Sequence, residues 1–184
     1  KMIDKINYIK NFLFKQELKE LEHYLDSLEF KEHYIKIFKK QIKIPRLQLF
    51  LGDPNIHYTY SNQKITTLPW HYPIINLKNK IEKITKEKYN CALVNKYRDG
   101  NDNVSFHQDT EKELINNNIP SFSVGDTRKF ILKNRLNKII YFLENNDLLI
   151  IPKSINKTYY HSIPKEKNKK TRCNITFRYI KPNP

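Results

Sequence analysis

The sequence predicts a mostly β chain with helices set in front of its sheets, and three observations carry that prediction. Beyond Tyr89 the chain breaks into short runs rich in β-branched and aromatic residues, separated by turn residues, which is the rhythm of an all-β sandwich or barrel. Ahead of Tyr89 lie two stripes of apolar residues at three- and four-residue steps, the period of an amphipathic helix. At the far end, Arg172-Cys173-Asn174-Ile175-Thr176-Phe177-Arg178 alternates polar and apolar side chains, as a strand with two different faces does.

In chain order, the first helix is read over 15–28, where Leu18, Leu21, Leu25 and Leu28 form one stripe among charges and require a sheet to pack on. Segments 35–38 and 46–51 read as extended. Gly52-Asp53-Pro54-Asn55 supplies a turn, after which 56–60 resumes the extended pattern. The second helix carries Ile74, Leu77, Ile81 and Ile84 behind Pro73, whose fixed φ and missing N–H suit a first helical turn. The β-rich runs are then 91–97, 104–107, 121–124, 129–132, 138–143, 148–151, 158–161 and 172–180. Turns fall at Arg98-Asp99-Gly100-Asn101, Gly125-Asp126 and Glu144-Asn145-Asn146-Asp147, and two of the three glycines sit in them. Segment 165–170 reads as a charged loop, and no internal repeat is present.

A length of 184 residues accommodates one domain with a real core and is short for two. Lys and Arg number 34 against 19 Asp and Glu, a formal charge of +15 that favours a polyanionic partner through phosphate neutralisation and counterion release. An AT-rich gene, with its many Lys, Asn and Ile codons, produces part of that excess, so charge alone does not assign nucleic acid. Cys91 and Cys173 belong to no CxxC pair, which fits a reduced, intracellular chain. There is no apolar run of membrane-spanning length and no signal-peptide core, so no membrane association is expected.

Chemistry enters at His107-Gln108-Asp109. Residues i and i+2 of an extended segment point the same way, so His107 and Asp109 can grip one ion while Gln108 faces away. A third ligand must then come from a distant strand, and His161 in Tyr159-Tyr160-His161-Ser162-Ile163-Pro164 is the best candidate. Two imidazoles and one carboxylate leave coordination positions open, an arrangement suited to non-haem iron(II). The last strand adds a second signal, for its polar face holds Arg172, Asn174, Thr176 and Arg178. If that face looks inward, the paired guanidiniums demand a buried dianion, because an uncompensated buried charge costs about 3–5 kcal/mol. A dicarboxylate such as 2-oxoglutarate meets that demand, and the planar guanidinium fork matches a carboxylate. Asn95 and Tyr97 lie two apart in the run just ahead of His107-Gln108-Asp109, so one strand face presents an amide and a phenol that could hydrogen-bond the cosubstrate.

These residues, with Pro45-Arg46-Leu47-Gln48, Gly52-Asp53, Tyr58-Thr59-Tyr60-Ser61, Pro69-Trp70, Asn95-Lys96-Tyr97-Arg98-Asp99-Gly100, Ser123-Val124-Gly125 with Arg128 and Phe130, His161-Ser162-Ile163-Pro164 and the closing Arg172-x-Asn174-x-Thr176-Phe177-Arg178, carry a resemblance. From about residue 37 to 180 the chain resembles the AlkB family of iron(II)- and 2-oxoglutarate-dependent dioxygenases, especially its duplex-DNA repair branch. The resemblance implies a double-stranded β-helix, or jelly roll, with N-terminal helices packed on one sheet and a nucleotide-recognition lid. It implies one dioxygenase domain, with helices and lid in about 1–90 and the catalytic core in about 91–181. Iron would be held by His107, Asp109 and His161, and 2-oxoglutarate by Asn95, Tyr97, Arg172, Asn174, Thr176 and Arg178, with oxygen as cosubstrate.

On the substrate side the resemblance places Tyr58, Thr59, Tyr60 and Ser61 in the lid, where aromatic rings can stack on an extruded base. Phe38 and Lys39 stand where the duplex-DNA branch carries a finger that fills the gap left by that base. Arg46 would approach the flipped nucleotide's phosphate or its base, and Glu111 would accept hydrogen bonds from a base amino group. Thr110 departs from the acid common in this branch, which leaves base preference open. Asp147 departs too, at a turn where relatives carry small residues. The implied activity is oxidative N-demethylation of bases such as 1-methyladenine and 3-methylcytosine in DNA, with 2-oxoglutarate converted to succinate and CO2 and formaldehyde released. The implied setting is a monomer in the nucleus or another DNA-containing compartment, or the cytoplasm of a cell without a nucleus. An RNA demethylase on the same scaffold, a protein side-chain hydroxylase and a non-catalytic nucleic-acid-binding module are the competing readings.

Overall fold

The computed structural model describes residues 5–37, 40–54, 56–60, 63–109, 115 and 118–181, with backbone alone for 36–37, 57–60 and 63–66. The elements run β1 (Asn7–Ile9), α1 (Lys15–Ser27), β2 (Lys31–Ile37), β3 (Lys40–Gly52), β4 (His57–Tyr60), β5 (Gln63–Thr66), α2 (Tyr72–Thr85), β6 (Cys91–Tyr97) and β7 (Val104–His107). There follow β8 (Ile119–Gly125), β9 (Arg128–Lys133), β10 (Lys138–Leu143), β11 (Asp147–Ile151), α3 (Lys153–Thr158), β12 (Tyr160–Ile163) and β13 (Arg172–Arg178). Seven strands form a large sheet in the order β1-β11-β8-β13-β6-β3-β2, four form a small sheet in the order β10-β9-β12-β7, and β4 with β5 makes a separate hairpin. Every paired strand is antiparallel to its neighbour. This is the jelly roll with helices on one sheet.

Strand periodicity divides the interior in two. Ala92 and Val94 of β6, Phe122 and Val124 of β8, Leu148 and Ile150 of β11, and Cys173, Ile175 and Phe177 of β13 share a core with Leu21 and Leu25 of α1 and Ile74, Leu77 and Ile81 of α2. Each fully buried aliphatic or aromatic side chain there contributes about 1.5–3 kcal/mol, which is why two short helices hold their places on the large sheet. Glu17 adds a polar brace, accepting from Asn76 Nδ2 (3.0 Å) and Lys80 Nζ (2.6 Å) across the helix pair. The alternate residues of the same strands face the small sheet. Tyr97, Leu149 and Ile151 meet Phe130 and Leu132 of β9, Leu143 of β10 and Ile163 of β12 in a second core.

Three of the differences from the sequence expectation have a clear physical reason. The segment 158–161 does not start as a strand: Thr158 closes α3, whose first turn is set by Pro152 with the Asn156 N–H bonded to the Pro152 carbonyl (3.0 Å), and β12 begins at Tyr160. The three residues of β1 were not read as a strand; they pair with β11, and the Tyr8 hydroxyl donates to Asp147. Asp147 also accepts from the Glu144 N–H (2.9 Å), so its buried carboxylate closes the turn that a small residue would leave open. Strand β3 begins well before residue 46 and runs through Pro45. The ladder with β2 skips there, passing from Glu32↔Leu47 to Tyr34↔Lys43, and a bulge is where a residue without an N–H fits.

Candidate metal centre and its cavity

His107 closes β7 and His161 lies directly opposite on β12, so the ladder itself brings the rings to 4.2 Å between centroids. The His107 Nδ1 lies 2.9 Å from the Ser105 carbonyl oxygen, which can only accept, so Nδ1 donates there and Nε2 is the ring nitrogen turned toward Asp109. Asp109 Oδ1 is 3.8 Å from that Nε2, and ligand atoms of His107, Asp109 and His161 all fall within 4.8 Å of one another. Burial pushes His161 down to about 4, the Asp109 charge opposing it only in part, so its imidazole is neutral and available as a ligand near neutral pH. Burial works to raise the Asp109 carboxyl, but the Arg178 guanidinium and the two imidazoles outweigh it and hold the group below the usual carboxylate range.

Asp109 does not lie on the strand that carries His107. Its backbone is held by Asn156 of α3, whose Oδ1 accepts from the Asp109 N–H (3.2 Å) and whose Nδ2 donates to the Asp109 carbonyl (2.8 Å). Arg178 Nη2 donates to Asp109 Oδ1 (3.0 Å). Gln108 faces away, as the spacing predicts, and donates to the Lys157 carbonyl (2.9 Å).

Behind the cluster a cavity extends between the sheets, lined by all three of these residues together with Asn95, Tyr97, Arg172, Asn174, Thr176 and Arg178. Register explains the gathering, since Arg172 pairs with Tyr97 and Asn174 with Asn95 across the β13–β6 ladder. Arg172 is 1% exposed, and burial pushes its guanidinium down from its ordinary value. Its Nη2 donates to Ser123 Oγ (2.9 Å), while Nε and Nη1 have no hydrogen-bond partner. A buried cation with idle donors is strongly unfavourable unless an anion joins it, so the berth fits a carboxylate. The guanidiniums of Arg172 and Arg128 each lie 5.4 Å from the centre of the Tyr97 ring, which fixes that ring by cation–π attraction. Asn95 Oδ1 accepts from Arg46 Nε and Gln48 Nε2, both at 2.9 Å, leaving its NH2 as the donor for a ligand. Asn174 and Thr176 are committed to the wall: Asn174 Nδ2 donates to Ser121 Oγ (2.6 Å), and Thr176 Oγ1 to Asn174 Oδ1 (2.9 Å).

Ser121, Ser123, Gln48 and Asn156 received no role from the sequence, although Gln48 and Ser123 stand in segments that carry the resemblance. Ser121 and Ser123 were within reach of it, because 121–124 alternates as β13 does. Arg46 was read as a nucleotide contact; it is buried in the cavity wall, bonded to Asn95 and, through Nη1, to the Asn103 carbonyl (3.4 Å). Tyr58, Thr59 and Tyr60 lie in the β4–β5 hairpin by backbone, with side chains outside the described residues. Phe38, Lys39, Ser61, Thr110 and Glu111 lie outside the described residues altogether.

Comparison with known proteins agrees with this geometry. Residues 5–178 match the 2OG-Fe(II) oxygenase superfamily. The chain is 30% identical over 182 residues to the DNA oxidative demethylase ALKBH2 of Bos taurus, covering 92% of this chain and 64% of the relative. It is 32% identical over 154 residues to the alpha-ketoglutarate-dependent dioxygenase alkB homolog 3 of Homo sapiens, covering 76% of this chain and 53% of that protein. It therefore spans less than two thirds of either relative's length. The solved structure of OsALKBH1 superposes with a TM-score of 0.65 at 17% identity, covering 94% of this chain and 97% of that one. With a buried carboxylate berth, a His-Asp-His cluster and this match along nearly its whole length, the chain belongs to the 2OG-Fe(II) oxygenase superfamily, in its AlkB branch, whose cofactors are iron(II) and 2-oxoglutarate.

Proposed function

We propose that this chain is a DNA repair dioxygenase that removes N-methyl groups from alkylated bases, with 1-methyladenine and 3-methylcytosine as its lesions and duplex DNA as its polymer. The observation that carries the reading is the continuity of one cavity from the His107, Asp109 and His161 cluster to the idle donors of Arg172. When bound, iron(II) and 2-oxoglutarate would supply, with O2 as oxidant, decarboxylation to succinate and CO2 coupled to hydroxylation of the methyl carbon, one oxygen atom entering succinate and the other the methyl group, after which the N-hydroxymethyl group leaves as formaldehyde. The residues do the rest. His107, Asp109 and His161 hold the metal, Arg172 pairs the distal carboxylate, and Asn95 and Tyr97 orient the cosubstrate with Arg178. Asn174 and Thr176 shape the wall, and Leu93, Ile119, Phe130 and Ile151 keep water from the reacting centre.

The likeness to the DNA oxidative demethylase ALKBH2 supports the choice of DNA, and the +15 charge supports a polyanion. In this reading Tyr58, Thr59, Tyr60 and Ser61 cover the extruded base, Phe38 and Lys39 fill its place in the stack, and Thr110 and Glu111 read its edge. Arg46 acts from the cavity wall. The protein works as a single-domain monomer in a DNA-containing compartment; among the described residues no helix is long and apolar enough to cross a membrane. The test is an oxygen-started formaldehyde assay on methylated duplex DNA, single-stranded DNA and RNA at matched salt. Duplex preference that Phe38→Ala removes selectively supports the assignment; equal or greater turnover on RNA rejects it.

A further inference from the structure

We propose that Asn156 is a positioning residue that sets the direction of the Asp109 carboxylate, and through it the metal affinity of the cluster; this rests on the ligand assignment made above. Strand β7 ends at His107, opposite His161. Continued by the same antiparallel register, Gln108 would face Tyr160 and Asp109 would face Tyr159. Tyr159 does not serve that ladder, because its N–H is committed to the Ile155 carbonyl (2.8 Å) at the end of α3. Asp109 thus stands one step past the last available backbone partner, and the Asn156 amide takes that partner's place. A primary carboxamide presents a C=O and an N–H along one edge, so Asn156 satisfies the Asp109 N–H and carbonyl together. Asn156 is 8% exposed, which shelters both bonds from competing water.

The consequence for the cluster is mechanical. Arg178 grips one carboxylate oxygen and Asn156 grips the backbone, so Asp109 is fixed at both ends. Asn156 also lies on the short segment from α3 into β12 that delivers His161, so one piece of chain places two of the three ligands. The fold uses the same device twice away from the cavity. Asn146 exchanges two bonds with the Leu13 backbone (2.9 Å each), and Asn90 does so with Ile180 (2.7 and 2.8 Å). Those clips join chain segments without touching a ligand residue, which makes Asn146 a control for the purely structural role.

The experiment is an anaerobic titration of the full chain with Mn(II), a redox-silent probe, in the presence of 2-oxoglutarate, followed by the magnetic resonance of free and bound ion. The melting temperature of each metal-free variant is recorded alongside. Asn156→Ala is expected to weaken Mn(II) binding about 10- to 100-fold and to alter the bound-ion spectrum, the range seen when a group orienting a metal ligand is removed. Asn146→Ala is expected to lower the melting temperature while leaving Mn(II) affinity within about twofold, since distant sites act independently. Wild-type affinity in Asn156→Ala, or equal losses in the two variants, overturns the proposal. If Asn156→Ala does not fold, Asn156→Asp decides: it keeps the shape but turns an acceptor toward the Asp109 carbonyl, so a loss of about tenfold or more supports the role and unchanged affinity overturns it. Asp109→Ala tests the ligand assignment separately, because retained tight Mn(II) binding there removes Asp109 from the cluster whatever Asn156 does.

Discussion

The two walls of the cavity are built by different means. The large-sheet wall is made in the middle of a seven-stranded sheet, where β13 is paired on both sides and every residue from Arg172 to Arg178 is buried. The small-sheet wall ends in β7, a four-residue edge strand paired only with β12, and the His107 side chain is 40% exposed. The cosubstrate berth thus inherits its geometry from backbone register. The metal cluster depends on an edge extended by side chains. A charge pocket set by paired strands can be held rigid without ligand, whereas an edge strand leaves the His107 side of the cluster open to solvent.

The strongest way to break the comparison is at the edge. His107→Ala should reduce formaldehyde release to background while duplex binding stays within about twofold, because phosphate contacts supply most of that affinity. Retained turnover would remove His107 from the centre. Next comes the berth. Arg172→Met keeps volume and removes a buried charge with idle donors, so the metal-free protein should melt no lower than wild type while the KM for 2-oxoglutarate rises about 100-fold or more, the loss expected when one partner of a buried charge pair goes. A large drop in melting temperature would mean that the cation is compensated within the wall.

A pH titration of the metal-free protein sharpens the contrast with a smaller effect. His161 is held near 4 by burial, against about 6.5 when unfolded, so the unfolded chain takes up a proton first as pH falls. The stability tied to the neutral ring is present above about 6.5 and is lost as pH falls toward 4. Melting temperature should decline through that window, and His161→Phe should flatten the decline; an unchanged profile would place the ring in water. The smallest effect belongs to neither wall. Glu17→Ala, which removes the brace between α1 and α2, should lower stability by no more than about 1 kcal/mol in chemical denaturation, since its ion pair with Lys80 is partly exposed.

The same contrast explains what could be read from the sequence. Period-two alternation is a local signal, so the inward face of β13 and the pair Asn95 and Tyr97 were legible, and the i, i+2 spacing of His107 and Asp109 was too. That His161 completes the cluster follows from a resemblance and a strand pairing, and the ladder supplies the contact. The Asn156 clip had no such signal. It joins residues 47 positions apart through a helix whose six residues, Lys-Ser-Ile-Asn-Lys-Thr, carry too few apolar positions to show a period. Arg46 was expected to approach the flipped nucleotide, but its hydrogen bond to Asn95 had no signal, because nothing in Pro45-Arg46-Leu47-Gln48 shows which strand lies beside it.

The glycines against the β12–β13 connection carry a different lesson. A Cβ on Gly100 would sit 1.6 Å from the Glu166 carbonyl oxygen, and Gly125 holds a φ of +98° against Thr171. Both close approaches involve the connection from β12 to β13, which Arg128 also grips through the Pro164 carbonyl (2.7 Å) and Glu166 (3.1 Å). That lysine-rich connection is therefore stapled at its base, while Lys165, Lys167 and Lys170 are exposed. An anchored base fixes where those cationic side chains leave the backbone, so neutralising one of them should leave the placement of the others intact.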